Sequence, residues 1–168
     1  MTTKLEIRIR RGRDGPDSLT LTREDGTATW QHMPRAQAQH DLTHYAVESC
    51  LGFRDAFYGL VASGKNISDF NNRETRGETP DEAMLTEFFV NQVVLEHASG
   101  EFAEVERFNA IMLSTLQNHG NGDLARAHRP LSADELTTIR ATARELWGRW
   151  YHTAPGEALT LTIELDRR

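Results

Sequence analysis

The chain has 168 residues, of which 38% are hydrophobic and 26% are charged. This apolar share is enough to form a core, so the composition excludes an intrinsically disordered chain. Basic residues number 19 and acidic residues 25, which gives a formal net charge of −6. Because no run of about 20 apolar residues is present, we expect no membrane-spanning segment and no membrane partner.

The negative charge is concentrated in one part of the chain. Residues 1–35 carry seven basic and five acidic side chains, whereas residues 78–106 contain eight acidic residues and no Lys or Arg. Such an acidic block repels a phosphate backbone, and a nucleic-acid footprint needs a longer basic stripe than this N-terminal part offers. We therefore predict no nucleic-acid partner. The basic cluster near the N-terminus consists of Arg8, Arg10, Arg11 and Arg13.

Cysteine content and the first residues bear on the compartment. Cys50 has no second cysteine with which to form an intramolecular disulfide, which is typical of a reducing compartment. The N-terminus alternates charged and apolar residues and lacks the apolar segment of a secretory signal. We therefore expect a cytoplasmic protein.

Alternation of apolar and polar residues predicts strands near both ends of the sequence. It occurs at residues 4–10, 19–22 and 27–32, and again at residues 159–165. An Asp-Gly pair at positions 25 and 26 predicts a hairpin, because Gly tolerates the positive φ of a tight turn. Each strand has one apolar face, which favours an antiparallel sheet covered on one side.

Helices are predicted between these strands. Residues 79–82 (TPDE) and 132–135 (SADE) have the pattern of capping boxes, and each precedes an apolar periodicity of helical spacing. Further helices are expected at residues 40–51, 54–62 and 102–116, and residues 65–78 are expected to form a polar loop. The sequence thus predicts a single α+β domain spanning residues 1–168. Its antiparallel sheet has about four strands, three N-terminal and one C-terminal, covered on one face by four or five helices.

One helical segment brings several potential metal ligands together. At about 100° per residue, His40, His44, Glu48 and Asp41 fall within one sector of about 100°. Neutral imidazoles and carboxylates are ligands for zinc, manganese or iron. We therefore regard His40, His44 and Glu48 as candidate ligands of a divalent transition metal.

Residues 40–44, HDLTH, resemble the HExxH helix of zinc metalloproteases, with Asp41 in the position of the family's Glu. The resemblance implies that His40 and His44 are metal ligands and that Asp41 is the base that activates a metal-bound water. Asp is one methylene shorter than Glu, so it would hold the water differently. A third ligand from elsewhere in the chain is also required.

Glu87 is a further candidate ligand. It falls in the apolar sector of the helix predicted after residue 80, so we expect it to be buried and to need a partner. That partner is an arginine, an imidazolium or a metal ion, and the structural alternative is a hydrogen bond to Tyr45, Tyr58 or an arginine. Glu96 and His97 form a second, weaker candidate pair.

Both readings of the helix at 40–51 remain open at this point. A polar sector is also what a solvated helix face contains, although Val47 and Leu51 beside the histidines indicate partial burial. The sequence favours a soluble non-catalytic interaction or assembly module. An exposed sheet edge would allow two copies of the chain to form a homodimer. The alternatives are a metal-binding protein or metal-dependent hydrolase that uses the face of His40, His44 and Glu48, and a protein with a small-ligand pocket. No residue pattern decides whether the protein is an enzyme.

Overall fold

Four strands form one antiparallel sheet in the order β3-β2-β1-β4. The computed structural model describes residues 2–34 and 36–166, with residues 75 and 76 described in their backbone only. The predicted arrangement of three N-terminal strands and one C-terminal strand is confirmed, and the C-terminal strand pairs with the first. The strands are β1 (Thr2–Arg10), β2 (Asp17–Arg23), β3 (Ala28–Met33) and β4 (Ala158–Asp166).

One face of the sheet is buried and the other is open to solvent. In β1, Leu5, Ile7 and Ile9 are buried, while the charged residues between them are exposed. Trp30 of β3 lies on the open face with 61% of its surface exposed. The period-two alternation of the sequence thus determines which side of each strand enters the core.

Four long helices and several short ones complete the fold, which confirms the predicted α+β class. Helix α1 contacts both α8 and α5, and α2 contacts the sheet. The long helices are α1 (Gln37–Leu51), α5 (Asp81–Ser99), α6 (Val105–Asn118) and α8 (Ala133–Tyr151). The short helices are α2 (Phe57–Ala62), α3 (Ile67–Asn71), α4 (Arg73–Arg76) and α7 (Gly122–Ala127).

The segment predicted as a polar loop at residues 65–78 contains helices α3 and α4. Asn66 and Asp69 form a capping box at the start of α3, and the side chain of Asn72 accepts the N–H of Glu74 at the start of α4. These polar residues therefore stabilise short helices instead of an irregular loop. Phe70 of α3 turns towards the interior and packs on Phe57.

Of the two predicted capping boxes, one is present and one is not. Ser132 and Glu135 cap α8 reciprocally, as the pattern SADE indicates. Helix α5 instead begins after Pro80, without a side-chain cap. The carboxylate of Glu82, expected to complete the second box, accepts the backbone N–H groups of Arg54 and Asp55 at 2.7 Å each. A tertiary contact has replaced the local one.

Candidate metal centre

Two histidines of α1 and one glutamate of α5 meet at the junction of these helices. His40 and His44 lie one turn apart, with ring centroids 4.8 Å from each other. The Glu87 carboxylate faces both rings: Oε2 is 3.4 Å from Nε2 of His40, and Oε1 is 3.1 Å from Nε2 of His44. Two imidazoles and one carboxylate thus converge on one point, and their potential ligand atoms all lie within 4.8 Å of one another.

Glu48 lies behind His44, in the interior. Its side chain is fully buried, and Oε1 is 3.1 Å from Nδ1 of His44. Its second oxygen accepts the backbone N–H groups of Tyr58 at 2.9 Å and Gly59 at 3.4 Å, at the start of α2. Both carboxylate oxygens are therefore engaged away from Glu87. The structure places Glu48 beside the cluster of His40, His44 and Glu87, outside the group that could share one ion.

The hydrogen bond to Glu48 determines what His44 presents to Glu87. A carboxylate accepts, so Nδ1 of His44 carries the proton that it donates to Glu48. In the neutral ring, Nε2 then has a lone pair that faces a Glu87 oxygen at 3.1 Å. Two acceptors at this distance repel each other unless a proton or a metal ion lies between them.

The distances in the cluster suit a metal ion. Two ligand atoms, each about 2.1 Å from a shared ion, lie about 3.0 Å apart at a right angle and about 3.4 Å apart at the tetrahedral angle. The two distances between histidine nitrogens and Glu87 oxygens are 3.1 and 3.4 Å. Each histidine–Glu87 pair therefore has the spacing of two ligands of one ion.

Without an ion, the cluster holds protons. Burial opposes the charged form of His44, but the hydrogen bonds to Glu48 and Glu87 outweigh it and raise the pKa of His44 to about 10. Hydrogen bonds to Asp41 and Glu87 raise the pKa of His40. Partial desolvation at the helix junction acts to raise the pKa of Glu87, yet the hydrogen bonds to the two histidines hold that pKa well below its usual range. Protons and a divalent cation would thus compete for the same positions.

Asp41 contributes a second unusual feature on the same face of α1. Its side chain is only 7% exposed, and Oδ1 accepts from Nε2 of Gln37 at 2.9 Å and lies 3.4 Å from Nδ1 of His40. Its other oxygen, Oδ2, is buried and has no hydrogen-bond partner within the described part of the chain. A buried carboxylate oxygen without a donor is unfavourable, so this atom is suited to a group that is absent from the protein itself.

The cluster opens into a cleft of about 320 Å³. One wall is polar and includes His40, Asp41, His44 and Glu87. The apolar wall of the cleft is formed by α2, α3 and the start of α5 and consists of Phe57, Leu60, Phe70, Pro80 and Ala83. A concave site with a few converging polar groups beside an apolar wall is typical of small-molecule sites.

Several site predictions are changed by the structure. The reading of the face of His40, His44 and Glu48 as solvated is wrong, because His44 and Glu48 are buried. The expected burial of Glu87 is also wrong, because its side chain is 53% exposed at the cleft. Glu87 meets the histidines because α5 crosses α1 at this point.

The other candidate residues do not form a site. Glu96 makes a bidentate ion pair with Arg140, at 2.7 and 2.9 Å, and the His97 ring packs on Trp147. Cys50 is half-buried. Sequence reasoning did not identify Gln37 or Phe70 as site residues. Gln37 could have been identified because it lies four residues before Asp41, on the same face of the helix. Phe70 gave no such signal, since it is a single apolar residue in a polar segment.

Comparisons with known proteins give no relative from which a role could be transferred. No protein-family model matches the chain, and neither a curated protein nor a solved structure does so. Among the described residues, no helix is both long enough and apolar enough to cross a membrane. The function is therefore inferred from the geometry of the cluster and its cleft.

Proposed function

We propose that the protein binds one divalent transition metal ion, zinc, manganese or iron, through His40, His44 and Glu87. The observation that carries the proposal is the convergence of two imidazole Nε2 atoms on one carboxylate at 3.1 and 3.4 Å. Mixed nitrogen and oxygen ligands suit these metals. Three protein ligands leave at least one coordination position for water or a small molecule.

The surroundings of the cluster support this role. Glu48 accepts from Nδ1 of His44, which is the arrangement by which a second carboxylate orients a metal-binding imidazole. Asp41, Glu48 and Glu87 contribute three carboxylates against two imidazoles, so the group attracts a cation even with both rings protonated.

The test is a metal titration of protein purified without a histidine tag and stripped with a chelator. We expect isothermal titration calorimetry to give one zinc or manganese equivalent with a Kd below about 1 μM. His40→Gln and His44→Gln should each weaken this Kd by about 100-fold or more, because each removes a ligand. His32→Gln is the matched control, since His32 is exposed on β3 and lies outside the cluster.

Two results would overturn the proposal. One is binding of less than about a tenth of an equivalent of either metal at a protein concentration well above 1 μM. The other is binding that His40→Gln and His44→Gln leave unchanged. In either case, the cluster would be an imidazolium–carboxylate network that stabilises the junction of α1 and α5.

A further inference from the structure

We propose that the cleft binds a small molecule with two parts: an oxygen head group that carries an adjacent N–H or O–H, and an apolar body. The head group would complete the coordination of the ion and donate a hydrogen bond to Asp41. The apolar body would lie against the apolar wall of the cleft. This inference rests on the proposed metal site and specifies what occupies its open position. Simple members of this class are hydroxamates, α-hydroxy acids and primary amides.

The apolar wall lies close to the proposed position of the ion. The Phe57 ring is 5.9 Å from the His44 ring and 5.1 Å from the Phe70 ring, measured between centroids. Leu60 and Ala83 extend this wall along the cleft. A group held by the metal would therefore have apolar surface beside it, and a volume of about 320 Å³ is at the small end of the usual range for ligand pockets.

Asp41 determines which hydrogen-bonding group a ligand of the cleft must carry. Its Oδ1 is engaged by Gln37, whereas Oδ2 is buried beside the cleft without a donor among the described residues. A ligand with an acceptor alone would leave this oxygen unsatisfied. A ligand whose metal-binding oxygen stands next to an N–H or O–H would satisfy it.

Charge limits the class further. Three carboxylates, those of Asp41, Glu78 and Glu87, line the cleft. Lys65 also lines it, with its ammonium 5.9 Å from the centre of the Phe70 ring. Three carboxylates offset most of the attraction that the metal and Lys65 would exert on an anion. A neutral or singly charged head group is therefore favoured over a phosphate ester.

The experiment uses the full chain loaded with zinc and freed of excess metal. The probes are acetohydroxamic acid, benzohydroxamic acid, N-methylbenzohydroxamic acid and phenyl phosphate, with binding measured by calorimetry and zinc retention by elemental analysis. We expect benzohydroxamic acid to bind at least about 10-fold more tightly than acetohydroxamic acid, because its phenyl ring would contact the apolar wall. A hydroxamate that binds zinc through its carbonyl oxygen and its deprotonated hydroxyl oxygen keeps only its N–H as a donor, so we expect N-methylation to weaken binding about 10-fold. We expect phenyl phosphate to bind more weakly than benzohydroxamic acid.

Variants separate the two parts of the ligand. Phe70→Ala should abolish the preference for the aromatic probe while leaving the zinc Kd unchanged, and Phe102→Ala, outside the cleft, should change neither. In Asp41→Ala, the penalty for N-methylation should disappear. Calorimetry on this variant also reports its zinc Kd, so a folding defect is recognised by loss of zinc binding.

The outcomes distinguish this inference from the metal site on which it rests. If the wild-type protein binds no zinc, both proposals fail. If zinc binds but benzohydroxamic acid has no advantage over acetohydroxamic acid, or if phenyl phosphate binds most tightly, only the ligand proposal fails. Removal of zinc from the protein by the probes, without a ternary complex, also contradicts it.

Discussion

Oε1 of Glu48 lies 3.1 Å from Nδ1 of His44, and both side chains are buried one turn apart on α1. The other oxygen of Glu48 accepts the N–H groups of Tyr58 and Gly59, so one carboxylate holds the imidazole and the start of α2 together. The orientation of His44 towards the cleft therefore depends on a residue that does not line the cleft itself.

We predict that Glu48→Gln weakens zinc binding by about 10- to 100-fold, because the amide orients His44 less strongly and lowers its basicity. The free energy of unfolding of the metal-free protein should fall by about 1–3 kcal/mol, since a charged hydrogen bond to a buried ring is lost. Calorimetry and urea unfolding measure the two effects. An unchanged zinc Kd in a folded variant would show that Glu48 does not orient the ligand.

The metal-free protein should lose stability as the pH rises above neutrality. The pKa of His44 in the folded protein is about 10, above its ordinary value of 6.5. Its contribution is therefore complete below about pH 6.5 and is lost progressively as the pH approaches 10. The pKa of Glu87 is lowered from 4.5, so its contribution is present above about pH 4.5 and is lost in more acidic solution.

Urea unfolding of the metal-free protein between pH 5 and pH 10 tests this dependence. His44→Gln should remove much of the decline between pH 6.5 and pH 10, whereas His32→Gln should keep it. An equal decline in the wild type and His44→Gln would place the titrating group elsewhere in the chain.

Zinc binding should release protons near pH 7, because the pKa of His44 and that of His40 are both raised in the metal-free protein. Affinity should therefore fall as the pH is lowered from 8 to 6. Calorimetry in two buffers of different ionisation enthalpy gives the number of protons released. A heat of binding that is independent of the buffer would contradict protonated histidines in the metal-free cluster.

Arg140 and Glu96 form the principal ion pair away from the candidate metal centre. Both are largely buried, and Arg140 also donates to the carbonyl oxygen of Ala103 at 2.7 Å. Arg140→Leu should lower the free energy of unfolding by about 3–5 kcal/mol, because it leaves a buried carboxylate without its partner. The zinc Kd should not change, which separates this structural pair from the candidate metal centre.

The double variant Glu96→Leu with Arg140→Leu provides the control for this pair. It should recover part of the stability lost in the single variant, since neither charge is then left unpaired. Urea unfolding of the wild type, the single variants and the double variant gives the coupling energy. A coupling energy near zero would show that the pair contributes little.

Gly59 of α2 leaves no room for a side chain. A Cβ added to Gly59 would clash with the carbonyl oxygen of Arg54, because it would lie far inside the van der Waals distance of a non-bonded carbon and oxygen. Gly59→Ala should therefore displace the start of α2 and the N–H groups that Glu48 accepts. We expect a loss of about 1–3 kcal/mol in the free energy of unfolding and weaker zinc binding, whereas exposed Gly148→Ala on α8 should have little effect.

Regular local patterns predicted much of this fold. Alternation located the four strands, and the 100° spacing placed His40 and His44 on one helix face. The failures are tertiary. Glu82 caps a segment 27 residues earlier in the chain instead of its own helix, and Glu87 lies at a cleft that exists only because α5 crosses α1. The burial of a polar residue depends on which element packs over it, and the local periodicity of the sequence contains no information about that packing.

The single domain, the interaction or assembly module, the homodimer and the cytoplasmic location stay predictions. Size-exclusion chromatography with light scattering, with and without zinc, would address the homodimer directly. Dimerisation that depends on zinc would indicate that the candidate metal centre also affects assembly.

The pairing of β1 with β4 has a consequence for how the protein folds. Ile7 lies opposite Leu161, so β1 lacks its second neighbour until almost all of the described chain has been synthesised. His40, His44 and Glu87 are much closer together in sequence, and their meeting requires only α1 and α5. Because closing the longer loop costs more entropy, we expect the sheet to be completed slowly, and a nascent chain released before β4 would leave an unpaired strand prone to aggregation.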